Sequence, residues 1–204
     1  MPVHTDRTEL ILDATLRLIG SGGPQAVTHR SVAAEAGVSL GAITHHFKTR
    51  DVLVEQALRL LAQREQQTLD QLTLSLATSG FDQAQWVATV ARYLADRTRA
   101  GALQLQATYE LLLECARRPG LRDVMSDWTA AQSRLAVVAL REAGSATPDA
   151  HAPLLIAAIT GLLLKQLAYP RPKFETAILA PALDELLTRL SLPTPDRPKR
   201  RKTS

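Results

Sequence analysis

Apolar residues recur along this chain at spacings of three and four, and alternating apolar/polar runs bounded by turns are hard to find. That periodicity predicts amphipathic helices throughout. Asp6 with Glu9 makes a capping-box pattern, and the stripe Leu10, Ile11, Ala14, Leu18 and Ile19 follows it. Gly20, Gly22, Gly23 and Pro24 predict the end of that first helix. Thr28 is placed to cap a short second helix stopping at Gly37, and Ser39 a third reaching about His46. Thr49 opens a fourth helix to about Leu76, a rod of about 40 Å at the usual rise per residue. Gly80 and Asp82 mark the next break. A helix to about Arg99 follows, then others over about 102–117, 120–143, 149–168 and 174–190. The expectation is an all-α protein of about nine helices.

Composition narrows the class. At 204 residues the chain suits one domain, or a small module joined to a larger one. Cys115 is the single cysteine, so no internal disulfide forms, and no Cys/His cluster has zinc-ligand spacing. Residues 1–9 lack the apolar stretch of a secretory signal. The longest apolar run, 152–164, contains Pro153 and Thr160 and falls short of the ~20 residues a membrane span needs. These features predict a soluble, cytoplasmic protein with no membrane partner and no cofactor.

The net charge of +4 is misleading. From Ser191 onward Arg197, Lys199, Arg200, Arg201 and Lys202 face only Asp196, so that segment carries the whole excess. The body of the chain is charge-balanced, and bulk basicity is no argument for nucleic acid. Residues 193–204, with three prolines and no aliphatic side chain, predict a disordered basic tail adding at most non-specific phosphate attraction.

The informative stretch runs from Thr28 to Phe47, where two short helices meet at Gly37. Val32, Ala33, Ala36, Val38 and Ile43 are the apolar residues that let them cross, and a left-handed turn between them favours glycine. This is the pattern of a helix-turn-helix whose second helix can enter a major groove. An ordinary helical hairpin has the same outline. Adjacent His45 and His46 point about 100° apart on a helix, which suits phosphate contact or solvent better than one shared metal ion.

Val27-Thr28, Val32 through Ser39, and His45 through Leu53 strongly resemble the DNA-binding domain of TetR-family transcriptional regulators. The resemblance is close over 5–53 and extends to the rest only in layout. It implies a DNA-binding domain over 1–48, a ligand-binding and dimerisation domain over 49–192, and the basic tail over 193–204. Carried over by position, it implies that Thr28 caps a helix whose N–H groups approach a phosphate. Arg30 takes a position that reaches a base edge or phosphate, while Ser39, Leu40, Gly41 and Ala42 lead the recognition helix. His45, His46 and Arg50 take backbone-holding positions. Thr44 stands where the family usually has tyrosine, and Leu40 and Ala42 suit thymine methyls better than guanine.

The same resemblance implies a homodimer on a palindromic double-stranded DNA operator, with the last two helices pairing across the dimer and Gly161 permitting close approach. It also implies a small-molecule effector. Gln104, Tyr109, Glu110, Cys115 and Trp128 are polar or polarizable residues inside apolar helices, and Tyr109 and Trp128 are the leading ligand-binding candidates. Each singly can equally be a satisfied core or surface group. The expected function is a ligand-responsive transcriptional regulator, acting as a repressor. The alternative is a helical small-molecule-binding protein or enzyme with a vestigial helix-turn-helix. Cys115 has no histidine near it in sequence, and the expectation is no enzyme.

Overall fold

The computed structural model describes residues 7–78 and 81–192, which form nine α-helices and no strand. They are α1 (Arg7–Gly22), α2 (His29–Ala36), α3 (Leu40–His46), α4 (Arg50–Thr78), α5 (Gln83–Arg97), α6 (Ala102–Arg117), α7 (Arg122–Glu142), α8 (Pro148–Ala168) and α9 (Ala180–Ser191). The capping expectations hold where they can be seen. Thr28 Oγ1 accepts the Ser31 N–H at 3.0 Å, Ser39 Oγ accepts the Ala42 N–H at 3.2 Å, and Thr49 Oγ1 accepts the Val52 N–H at 3.2 Å. Gly37 sits at φ 66°, the left-handed conformation the turn requires. Asp6, Gly80 and the tail lie outside the described residues.

Two expectations change. Gly20 does not end α1, which continues through it to Gly22 and turns at Gly23, φ 72°. Gly20 instead marks a close helix crossing: a Cβ built there would sit 2.1 Å from the Leu103 carbonyl oxygen at the start of α6. The last helix is not uniform either. A π-helical turn over Glu175–Leu179 precedes α9, and the Ala180 N–H reaches back to the Glu175 carbonyl. Pro181 has no N–H for the Ala177 carbonyl, and its ring crowds that oxygen, so a wider turn is accommodated there.

Packing joins the elements into two clusters. The first gathers Ile11 and Ile19 of α1, Val32 of α2, Ile43 of α3, and Leu53, Leu58 and Leu61 of α4. It does not stop there, because Leu111 and Cys115 of α6 belong to it. The second cluster draws on α5, α7, α8, the π-helical turn and α9, with Leu105 of α6, and has Leu140, Leu155, Leu179, Leu183 and Leu187 at its centre. Each such side chain contributes about 1.5–3 kcal/mol on burial.

The 29-residue α4 runs between them and is tied to its neighbours by charge. Arg64 forks onto Glu9 and Asp13 of α1, both at 2.5 Å. Arg59 reaches the Gly120 carbonyl at 2.9 Å and Asp123 at 3.2 Å, at the corner between α6 and α7. Arg134 of α7 bonds Asp70 at 2.8 Å.

Helix α8 is 21 residues long and contains an 18-residue window of mean hydropathy 1.4, so length alone does not exclude a membrane span as the shorter apolar run suggested. One face of α8 packs into the second cluster through Ala152, Leu155 and Leu163. Leu154, Ala157, Gly161 and Leu164 are exposed on the other.

Gly20→Ala should destabilise the protein by about 1–3 kcal/mol, because the added methyl forces α1 and α6 apart. Helix propensity alone would give the opposite sign, a gain of up to about 1 kcal/mol. Gly41→Ala, whose Cβ would meet nothing nearer than Ser39 Oγ at 3.9 Å, should show that gain. Urea denaturation of the two variants separates the effects; a neutral or stabilising Gly20→Ala would contradict the close crossing.

Candidate functional site

Helices α2 and α3 leave one polar surface open. Thr28, Arg30, Ser39, Leu40, Gly41, Thr44, His45 and His46 are all exposed on it, and Ala42 is half-buried. The surface is held from beneath. His29 Nε2–H donates to the Phe47 carbonyl at 2.9 Å, pinning the end of α3 to the start of α2. Arg17 of α1 pairs with Glu35 of α2 at 2.6 Å, which neutralises the one acid of α2. Arg30 and Lys48 have no ion-pair partner among the described residues, so the open face is electropositive.

The individual groups differ in what they have left to give. The Thr28 hydroxyl accepts from Ser31 N–H and donates to Ser31 Oγ at 3.0 Å, so α2 offers an anion its first-turn backbone N–H groups instead. Ser39 accepts in its cap and keeps its O–H free to donate. Thr44 turns its hydroxyl onto its own helix, 3.2 Å from the Leu40 and Gly41 carbonyls. The rings of His45 and His46 meet edge to face at 5.0 Å. Arg50 is the most committed. Its Nε donates to the Val27 carbonyl at 2.9 Å and Nη2 to the Pro24 carbonyl at 2.5 Å, clamping the segment that leads into α2.

A second site lies about the middle of α4. A cavity of about 270 Å³ is walled by α4, α5, α6, α7 and α8, and both Tyr109 and Trp128 line it. Most of the wall is aliphatic or aromatic. Tyr109 donates to the Thr160 carbonyl at 2.9 Å, and burial pushes its phenol up to about 12, so it stays neutral. The buried indole of Trp128 is different: its Nε1 has no hydrogen-bond partner among the described residues. An unmade bond on a buried donor costs about 1–3 kcal/mol. Gln104 is exposed, while Glu110 and Cys115 do not line this cavity; the Cys115 thiol reaches the Leu121 carbonyl and burial raises its pKa.

One feature of the wall escaped sequence reasoning. Glu65 of α4 and Arg97 of α5 form an ion pair, with side chains 8% and 15% exposed. The Tyr93 hydroxyl lies 3.1 Å from the same Arg97 nitrogen, and the guanidinium stands 5.8 Å from the Tyr93 ring centre. Burial opposes the Arg97 charge, but Glu65 and Tyr93 outweigh it and its pKa is raised. A signal was present: Glu65 interrupts the apolar positions Leu58, Leu61, Ala62, Leu69 and Leu72 along one face of α4. Its partner on another helix was not legible.

Comparison with known proteins identifies the family of both halves of the chain. Residues 11–64 match the family profile described as bacterial regulatory proteins, tetR family, and residues 81–191 match the tetracyclin repressor-like C-terminal domain. The HTH-type transcriptional regulator PksA of Bacillus subtilis is 39% identical over 61 residues, about 30% of either chain. A transcriptional regulator from Rhodococcus sp. Rha1 superposes with TM-score 0.74 at 24% identity, covering 90% of this chain and 95% of its own. The multidrug binding protein EbrR, solved with ethidium, superposes with TM-score 0.63 at 32% identity, covering 93% of this chain and 100% of its own.

The buried pair should behave as a unit. Arg97→Leu leaves Glu65 as an uncompensated buried charge and should cost about 3–5 kcal/mol of stability. Adding Glu65→Leu should recover a large part of that loss in denaturant titrations. A double variant no more stable than Arg97→Leu alone would show that the two charges are not coupled.

Proposed function

The chain belongs to the TetR family of bacterial transcriptional regulators and is not an enzyme, and we propose that it is a repressor released from operator DNA by a small molecule. The observation that carries this is the sharing of α4 and α6. Glu65, Leu69 and Leu72 of α4 and Leu105, Thr108 and Tyr109 of α6 line the cavity. The same two helices pack on the first three: α6 crosses α1 at Gly20, and α4 begins four residues after the recognition helix α3 ends. Arg118, at the end of α6, lies 3.4 Å from Asp51 in the first turn of α4.

In this reading 1–48 binds DNA, and 49–192 binds the effector and a second copy of the chain. Residues Arg30, Ser39, Leu40, Gly41, Ala42 and Thr44 face bases, while Thr28, His45 and His46 meet phosphates. Arg50 acts by holding the loop before α2; its Nη1 also reaches Asp51 at 3.3 Å, and the donors left over serve the DNA backbone. The exposed apolar face of α8 with the exposed edge of α9 supplies the dimer contact. A Cβ at Gly161 meets nothing within 4 Å in one protomer, which leaves that surface open to close approach. The likeness to EbrR, solved with ethidium, supports a small molecule in the cavity.

The effector must prefer the arrangement that fits DNA poorly, since equal affinity for both would shift nothing. A coupling of about 1–3 kcal/mol changes operator occupancy about 5–150-fold, and by reciprocity operator weakens the effector by the same factor.

Two outcomes are expected. A palindromic operator should bind far more tightly than its half-site, and Gly161→Arg should remove that advantage by separating the protomers; equal affinity for half and whole sites would overturn the dimer. Replacing His46 by Ala should weaken all sequences alike, whereas Leu40→Ala should change the preferred bases by about 1–3 kcal/mol. An unchanged consensus from site selection with Leu40→Ala would remove Leu40 from base reading.

A further inference from the structure

The cavity has to be filled from outside, and its wall is uneven in how much it shows to solvent. Leu105, Trp128 and Leu163 of the wall are buried, while Leu72, Tyr109 and Ile156 are half-buried. Thr129 of α7 is the residue of that wall that is exposed, among the described residues. The cover over the cavity is therefore thinnest at Thr129.

Thr129 also lines a second space, an open groove between α6 and α7. Leu112 and Met125 stand in both walls with it, so groove and cavity meet across these three side chains. The groove follows from the packing. Helix α6 is seated on α1, and α7 on α4 and α8, and the two touch each other little away from the corner at Pro119–Leu121. On the α7 side, Ser126, Thr129, Ala130 and Ser133 recur at spacings of three and four along one face. Short side chains there leave the space between the helices open. Met125 is the contrast: it is long, unbranched and half-buried, and its three rotatable bonds let it swing aside without moving the backbone.

We propose that small molecules enter and leave the cavity through the groove between α6 and α7, past Thr129, with Met125 as the gate. This rests on reading the cavity as the effector site, but not on that effector releasing DNA. An entry route has a kinetic signature that a binding contact lacks. A barrier on the path is crossed in both directions, so narrowing it slows association and dissociation by one factor and leaves their ratio, Kd, unchanged. A residue that touches the bound molecule changes the ratio instead.

The test uses the full-length protein and the uncharged, solvent-sensitive naphthalene dye prodan, followed by stopped-flow fluorescence. Ser126 and Ala130 line the groove but not the cavity, and both are exposed, so added bulk there leaves the core intact. Ser126→Phe and Ala130→Phe should each lower both rates together by about fivefold or more, with Kd within about twofold of wild type. Ala88→Phe, the same change on an exposed position of α5, should alter neither rate. Met125→Ala should raise the association rate.

Unchanged rates in either groove variant, with the dye still bound, overturn the route. So do equal slowing by Ala88→Phe and a Kd that weakens through dissociation alone. An association rate that fails to rise in Met125→Ala overturns the gate. A dye that does not bind the wild-type protein takes down the cavity reading and the route with it. A gel shift with the dye separates the route from the regulation. Slowed exchange at the groove with operator affinity unchanged by the dye would keep the route and remove the regulation. Release of DNA by the dye, with rates unmoved by the groove variants, would do the reverse.

Discussion

The contact on which the rest depends is the crossing of α1 and α6 at Gly20. There the α1 backbone approaches the Leu103 carbonyl so closely that no side chain fits between them. That approach merges the core of the first three helices with α6, so Leu111 and Cys115 share an apolar cluster with Ile11, Ile19 and Ile43. The helix-turn-helix is thus a layer on a continuous core. Its orientation is set by what α4 and α6 do. Close-packed interiors move between discrete arrangements more readily than they deform, which is the condition for transmitting a small displacement.

Around this crossing the charges are distributed by function. Pairs that tie α4 to its neighbours sit at the surface, where each is worth less than about 1 kcal/mol and sets geometry more than stability. Arg64 of α4, paired with α1, and Arg134 of α7, paired with α4, are of this kind, with side chains 32% and 50% exposed. Glu65 and Arg97 lie deep, and neither can be removed alone without stranding the other. Placing that pair in the cavity wall gives TetR-family chemistry a polar anchor with no net charge, beside an indole donor that still lacks a partner.

The open surfaces divide in the same way. The face of α2 and α3 is polar and positive, suited to phosphates and base edges, with its framing groups already engaged underneath. The face of α8 is apolar, with Leu154 and Leu164 more than half or about half exposed. An apolar stripe of this sort on a helix otherwise seated in a core is a surface that another copy can cover.

The amino-acid sequence by itself determined the local architecture: nine helices, the caps at Thr28 and Ser39, the left-handed turn at Gly37, and the resemblance that identified the family. These are short-range matters, settled by hydrogen bonds and periodicities within a few residues. Tyr109 and Trp128 were legible too, as polar groups set in apolar helices. Only the tertiary structure decided what lies between distant segments. Gly20 looked like a helix stop because glycine often is one, yet its missing side chain serves α6, more than eighty residues away. Arg50 looked like a free phosphate contact, but the carbonyls that occupy it belong to a loop twenty-three and twenty-six residues earlier. Glu65 left a signal, a charge among apolar positions of α4, that the sequence analysis did not take up, and its partner Arg97 depended on how α4 and α5 cross. The reason is physical. Helix-forming preference is written into each segment's own residues, whereas close approach, ion pairing across helices and the satisfaction of a buried donor depend on coordinates that no single segment contains.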